Sequence, residues 1–146
     1  MTLHLVKLCV GAVSIEDLAQ WQKERLAEQR RAGLKPQICH TTYQSPKRQA
    51  ELLDGGSLFW VIKGLICVRQ RLVGFAEGRK DDGKPACRLL LDRTLIAVRP
   101  VPRRPFQGWR YLDGDAAPGD LRQGAGDSVA EMPPAMRKEL AGLGLL

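Results

Sequence analysis

The chain has 146 residues and 44% hydrophobic content, enough for one core of ordinary size, which argues against two independent domains. Lys and Arg outnumber Asp and Glu by 23 to 16, so the formal net charge is +7 and polyanions are candidate partners. No uncharged apolar run approaches the roughly 18 residues of a membrane-spanning helix, and the N-terminus lacks a signal-peptide pattern, so we expect a soluble cytoplasmic protein without membrane association.

The first part of the chain is predicted to form a strand, a long helix and a second strand. HLVKLCVG is short and partly alternating, as strands are. Ser14 and Asp17 have the spacing of a capping box, so a helix should run from about Ile15 to Ala32 and end at Gly33. QICHTTYQ is rich in residues that favour strands.

The middle of the chain is predicted to be mainly β-structure. Ser45 and Pro46 should begin a short helix that Gly55 and Gly56 end. SLFWVIKGLICVRQRLVGFA is the strongest strand pattern, and Gly64 should divide it by a bend or bulge, because strands rarely exceed about 10 residues. A hairpin connection at Asp82-Gly83 and two strands, ACRLLLD and TLIAVRPV, follow.

These elements predict a single α+β domain over residues 1–146. Its core should occupy residues 1–100, an extended Pro/Gly-rich loop residues 101–131, and a helical segment residues 132–146. We expect a mixed, strongly curved sheet or a small β-barrel, covered by the long N-terminal helix.

Two basic segments are candidate anion-binding sites. Arg69 and Arg71 should share one face of a strand about 7 Å apart, where two guanidinium groups can hold a phosphate. The segment from Arg99 to Leu112 contains four arginines and no acid. Arginine beside aromatic rings suits single-stranded nucleic acid. The candidate residues of this segment are Arg103, Arg104, Phe106, Trp109 and Arg110. The alternatives are solvated or internally paired arginines and aromatic rings that hold a loop to the core.

Catalytic and metal-binding patterns are weaker. Thr41, Lys63 and Glu77 form a conceivable hydrolytic set if the fold brings them together. The chain has only two histidines and no Cys-x-x-Cys pair, so we expect no metal and no cofactor. The four cysteines stand far apart beside apolar residues and should be buried, reduced thiols.

HLVKLCVG, HTTYQSPKR, GGSLFWVIKG, RQRLVGF and RRPFQGWRYL together resemble an uncharacterised bacterial protein family of about this length, known as domain of unknown function 1489. The resemblance spans most of the chain and implies no assigned activity. The order of a short helix, a Gly-Gly pair and two basic strands is also similar to PUA-like and ASCH-like barrels, which implies RNA contact. The glycine-lysine-threonine motif of ASCH domains is absent.

Our leading hypothesis is therefore an RNA-binding module of PUA-like type that is not an enzyme. The second is a small hydrolase or ligand-binding protein for a nucleoside-like or anionic molecule. The third is a protein-interaction module, which requires a buried Trp109 and arginines on different faces. Open sheet edges also leave a homodimer as an option without support in the sequence.

Overall fold

Seven strands and two helices make up residues 2–121, which are the residues that the computed structural model describes. The helices are α1 (Ile15–Arg31) and α2 (Gln49–Leu53). The strands are β1 (Leu3–Leu8), β2 (Ile38–Thr42), β3 (Ser57–Ile62), β4 (Leu65–Arg79), β5 (Pro85–Leu91), β6 (Ile96–Pro102) and β7 (Trp109–Asp113). The predicted α+β class is confirmed. Neither described helix is long and apolar enough to cross a membrane.

The sheet is organised around β4. The strand order is β2-β5-β4-β3-β1-β7, and β6 also pairs with β4. The first half of β4 lies between β3 and β6, and its second half pairs with β5. The register of the β4–β5 pair shifts between Leu72 and Gly74, close to the point where the partner of β4 changes from β3 to β5. A bulge at this point lets one long strand serve two differently oriented parts of the sheet.

The sheet is mixed, as predicted, but not closed, so of the two predicted forms, a strongly curved sheet or a small barrel, the barrel was wrong. Among the described strands, β2 and β7 are the two ends of the order and do not pair. The connection that follows β2 contacts β7 instead. Trp109 Nε1 donates to the carbonyl of Gln44 (2.7 Å), and the Tyr111 hydroxyl accepts from the backbone N–H of Lys47 (3.1 Å). Side-chain contacts therefore connect these two ends of the sheet, where β2 and β7 form no backbone ladder.

The long helix begins as predicted and ends one residue earlier. Ser14 Oγ accepts from the N–H of Asp17 (3.0 Å), which satisfies an amide that lacks an intrahelical partner. The buried residues of α1 are Ile15, Leu18 and Gln22, all in its first half. The helix therefore packs closely over only part of its length, and its predicted role as the cover of the sheet is not confirmed.

Two boundaries differ from the sequence-based expectation. The region predicted as an extended loop contains β7, which pairs antiparallel with β1. The short helix α2 begins at Gln49, after the predicted start at Ser45 and Pro46. Ser45 Oγ accepts a hydrogen bond from the side-chain Nε2 of Gln49 (3.1 Å). The helical segment predicted at 132–146 lies outside the described residues.

The sheet has apolar packing on both faces. The larger cluster includes Leu5, Trp60 and Leu89, and the smaller one includes Val6 and Phe59. All six residues of β3 are buried, because this strand contributes side chains to both clusters. A strand with apolar side chains packed on both faces has a nearly continuous hydrophobic sequence, as SLFWVI does.

Candidate functional site

Arg69 is committed to contacts within the protein. Its Nε and Nη2 donate to the two carboxylate oxygens of Asp120 (2.8 and 2.9 Å), and its Nη1 donates to Ser57 Oγ (2.9 Å). Asp120 also bridges to Val98 of β6, so the ion pair fastens the chain after β7 against the sheet. The guanidinium thus has the fork-to-fork geometry that arginine and carboxylate favour. Its hydrogen bonds hold the fold together, so it is not free to clamp an external anion.

Arg71 is exposed on the same strand, opposite Ser57 of β3. The intervening Gln70 is buried, which places Arg69 and Arg71 on one face as predicted. Because Asp120 neutralises Arg69, the two residues do not form a doubly charged clamp.

Trp109 does not belong to an exposed binding surface. The side chain is 8% exposed, packs in the larger apolar cluster, and contacts the ring of Tyr111 edge-on at 4.8 Å. Its neighbour Arg110 is exposed, because adjacent residues of β7 face opposite sides of the sheet. In this arrangement the predicted base stacking on Trp109 is blocked, and its hydrogen bond to Gln44 has the structural role described above.

Two of the remaining candidate arginines lie beside the ring of Phe106. The guanidinium carbons of Arg103 and Arg110 both lie 5.3 Å from the centroid of the Phe106 ring. Arg104 is exposed one residue after Arg103. We call Arg103, Arg104, Phe106 and Arg110 the arginine cluster. Phe106 is half-buried against the smaller apolar cluster, which anchors the ring under the two cations.

Within the described part of the chain, no carboxylate pairs with the arginine cluster, since the two ion pairs are Arg48–Glu51 and Arg69–Asp120. Arg110 Nη1 donates instead to the carbonyls of Gln107 (2.7 Å) and Trp109 (3.0 Å). These bonds orient the guanidinium without neutralising it.

The three residues of the proposed hydrolytic set do not converge. Lys63 lies in the tight turn between β3 and β4 with a positive φ of 51°, whereas Glu77 lies near the far end of β4. Thr41 pairs with Arg88 of β5, and Glu77 pairs with Cys87, so Thr41 and Glu77 also face opposite sides of the sheet. The structure therefore supplies no nucleophile, base and cation in one place from this set.

Glu77 nevertheless lines a cleft, which we call the β4–β5 cleft. Its volume is about 920 Å³, and it lies along the β4–β5 hairpin beside the connection after β2. Its lining includes Tyr43, Phe75, Glu77, Arg79, Cys87 and Arg88. The sequence analysis missed Tyr43, Arg79 and Arg88, because each stands alone in a strand or loop and only strand pairing places them together. Gly78, inside a strand, was the available clue, since such glycines often mark a close approach.

The half-buried His40 is the histidine with the most perturbed pKa. Its ring meets the ring of Trp60 at 90° and 5.2 Å, and its Nε2 is buried without a hydrogen-bond partner. Burial, and then the positive charges of Lys7, Lys80 and Arg25, lower the pKa of His40 to about 4. The imidazole is therefore neutral at physiological pH.

Metal binding finds no support within residues 2–121, where no group of three His, Cys, Asp or Glu side chains is placed to hold an ion. The four cysteines are free thiols, as expected, but only Cys67 and Cys87 are buried, whereas Cys9 and Cys39 are half-buried. Burial raises the pKa of Cys67 to about 12, so this thiol is a core residue without nucleophilic character.

Comparison with known proteins places the chain in a family without assigning it an activity. Neither the curated proteins nor the solved structures contain a significant match, and the likeness to PUA-like barrels is not confirmed. The profile of the family described as protein of unknown function (DUF1489) matches residues 5–146. That match covers nearly the whole chain, so the protein belongs to the DUF1489 family.

Proposed function

We propose that the protein binds single-stranded nucleic acid, RNA in particular, through the arginine cluster. The observation that carries the proposal is the position of two guanidinium groups, neither paired with a carboxylate of residues 2–121, against one aromatic ring, at Arg103, Phe106 and Arg110. A guanidinium plane offers a surface on which a base can stack, and its N–H groups bind phosphate oxygens in a fork. Both interactions are independent of base identity.

The local charge supports an anionic partner. The stretch from residue 99 to residue 110 contains four arginines and no acidic residue. The cations of the cluster are not neutralised by any described carboxylate. A phosphate backbone would displace counterions from these groups, which is the main source of affinity in sequence-independent binding.

The backbone of the cluster is held before any ligand arrives. Strand β6 leads into it, β7 follows it, and the N–H of Arg103 donates to the carbonyl of Gly64 (2.9 Å). Pro102 and Pro105 restrict the backbone between these anchors. A segment that is already ordered loses less entropy on binding, which favours affinity.

The test is fluorescence anisotropy of a labelled oligouridine as a function of salt. We expect binding at low salt and a double-logarithmic salt dependence whose slope falls by about 0.7 for each phosphate contact removed. The variant Arg103→Gln/Arg104→Gln should bind at least tenfold more weakly. The matched control, Arg30→Gln/Arg31→Gln, removes the same charge from exposed positions of α1 and should bind nearly as well as the wild-type chain.

Three results would refute the proposal: no binding of oligouridine at low salt, an unchanged affinity for Arg103→Gln/Arg104→Gln, or an equal loss in the control. An equal loss would mean that only the net charge matters. The protein-interaction hypothesis predicts the first result, and it draws support from the burial of Trp109 and the separate role of Arg69.

A further inference from the structure

We propose that the β4–β5 cleft binds a small organic anion, with Arg88 as the anion-binding residue and Gly78 as the residue that positions it. The site is separate from the arginine cluster and does not depend on the RNA-binding proposal. Its volume of about 920 Å³ lies within the range of small-molecule sites, which is roughly 300–1,000 Å³.

Gly78 makes room for the Arg88 side chain. A Cβ atom built on Gly78 would lie 2.7 Å from Arg88 Nε and 2.9 Å from its Cγ. Contacts this short are forbidden, and Cγ is too close to the backbone to move aside without a new rotamer. The backbone φ of Gly78 is not in the left-handed region, so an alanine is compatible with the strand. Gly78 is therefore required to leave space for the Arg88 side chain, and not for its own backbone conformation.

The charges along the cleft favour an anion. Arg88 lines it on the same side of the hairpin as Gly78 and forms no ion pair with a described carboxylate. Lys80 adds a second cation at the rim, with its Nζ 4.9 Å from the ring centroid of Tyr43. Glu77 is also in the lining, but it pairs with Cys87 and therefore faces the other side of the hairpin from Arg88. An exposed guanidinium binds carboxylate or phosphate oxygens in a planar fork.

The carboxylate of Asp82, which contacts the lining residue Tyr43, is already occupied. Asp82 Oδ2 accepts from the Tyr43 hydroxyl (2.7 Å), and its Oδ1 accepts from the N–H of Lys84 (2.9 Å). These hydrogen bonds lower the pKa of Asp82, which keeps it ionised and engaged with its own partners. It therefore competes little with a ligand for Arg88.

The lining also offers apolar contact, which selects an anion that carries a hydrocarbon body. Tyr43, Ala76 and Ala86 are in the lining, and the two alanines face the same side of the hairpin as Arg88. A ring placed against these side chains removes apolar surface from water, worth about 25 cal/mol per Å². The ligand class is thus an aromatic or similarly apolar molecule with one carboxylate or phosphate group.

Phenyl phosphate, benzoate and inorganic phosphate are suitable probes in a titration followed by amide NMR shifts. Phenyl phosphate and benzoate share the ring and differ in the oxyanion. The probe that binds more tightly therefore shows whether the site prefers a phosphate or a carboxylate group. We expect shifts in β4 and β5, and binding of inorganic phosphate at least tenfold weaker than that of the better aromatic probe.

A double-mutant cycle tests the positioning role. Gly78→Ala and Arg88→Gln should each lower the affinity for the tighter-binding aromatic probe at least tenfold. Gly78→Ala should have no further effect once Arg88 is glutamine, because the displaced group is then absent. Gly119→Ala is the matched control, since its Cβ would meet nothing within 4 Å, and it should bind as the wild-type chain does.

The proposal is overturned if neither aromatic probe shifts residues of β4 and β5, or if Arg88→Gln binds as tightly as the wild-type chain. It is also overturned if the effects of Gly78→Ala and Arg88→Gln on the free energy of probe binding are additive in the double variant. Arg103→Gln/Arg104→Gln should leave probe binding intact, so failure of the RNA proposal and failure of this one are separate results.

Discussion

The buried amide of Gln70 makes a sharp prediction about stability. Its Oε1 accepts from Gln22 Nε2 (2.9 Å) and from Trp60 Nε1 (2.8 Å). Its Nε2 donates to Gln22 Oε1 (2.8 Å) and to the carbonyl of Asp92 (3.0 Å). The Gln70 side chain is completely buried, and Gln22 is only 6% exposed. Replacement of Gln70 by leucine keeps a similar volume and removes four hydrogen bonds together.

The expected cost of Gln70→Leu follows from the groups that lose their partners. The indole N–H of Trp60 and the amide of Gln22 would be left buried, whereas the Asp92 carbonyl lies at an exposed residue and can be hydrated. A buried polar group without a partner costs about 1–3 kcal/mol, so we expect a loss of roughly 3–5 kcal/mol in the free energy of unfolding.

Urea unfolding of the single and double variants measures this cost. In Gln22→Leu/Gln70→Leu the orphaned Gln22 amide is gone, so the double variant should be more stable than the sum of the single costs implies, by about 1–3 kcal/mol. A loss below about 1 kcal/mol for Gln70→Leu, or simple additivity, would refute the account of this network.

Two further predictions concern titratable groups. The folded pKa of His40, about 4, lies below its ordinary value of 6.5, so between these values the unfolded chain binds a proton that the folded chain does not. Stability should therefore fall by up to about 3 kcal/mol as the pH drops from 6.5 to 4, and His40→Leu should lose this slope in pH-dependent urea unfolding. Burial also raises the pKa of Cys9 to about 11 and that of Cys67 to about 12. At pH 8 both thiols should resist alkylation in the native protein and react in denaturant, and mass spectrometry showing fast native labelling of Cys67 would contradict this.

Much of the local structure could be predicted because its causes lie within a few residues. The capping contact between Ser14 and Asp17 forms within one turn of helix, and Gly33 adopts a positive φ just after that helix. The break at Gly64 was also predictable: Lys63 and Gly64 form a hairpin turn with positive φ values, and the register of the hairpin shifts nearby, between Trp60 and Val61. The missed strand β7 follows a Pro/Gly-rich stretch whose local propensity favours a loop, and β7 is stabilised by pairing with the distant strand β1.

The candidate sites depended on contacts that no local pattern contains. Arg69 and Arg103 lie in similarly basic segments, yet among residues 2–121 only Arg69 of the two contacts a carboxylate, and that carboxylate is 51 residues away in the chain. Trp109 and Phe106 are close neighbours in sequence, yet they pack in different apolar clusters. The β4–β5 cleft arises because strand pairing sets Arg88 beside Gly78.

The sequence by itself determined the α+β class, most helix and strand positions, and the concentration of positive charge between residues 99 and 110. These properties depend on composition, on hydrophobic periodicity and on short-range hydrogen bonds. The tertiary structure decided which strands pair, that the sheet stays open, and which arginines remain available. Those outcomes depend on residues far apart in the chain, because a charge becomes a binding group only if the fold leaves it without an internal partner.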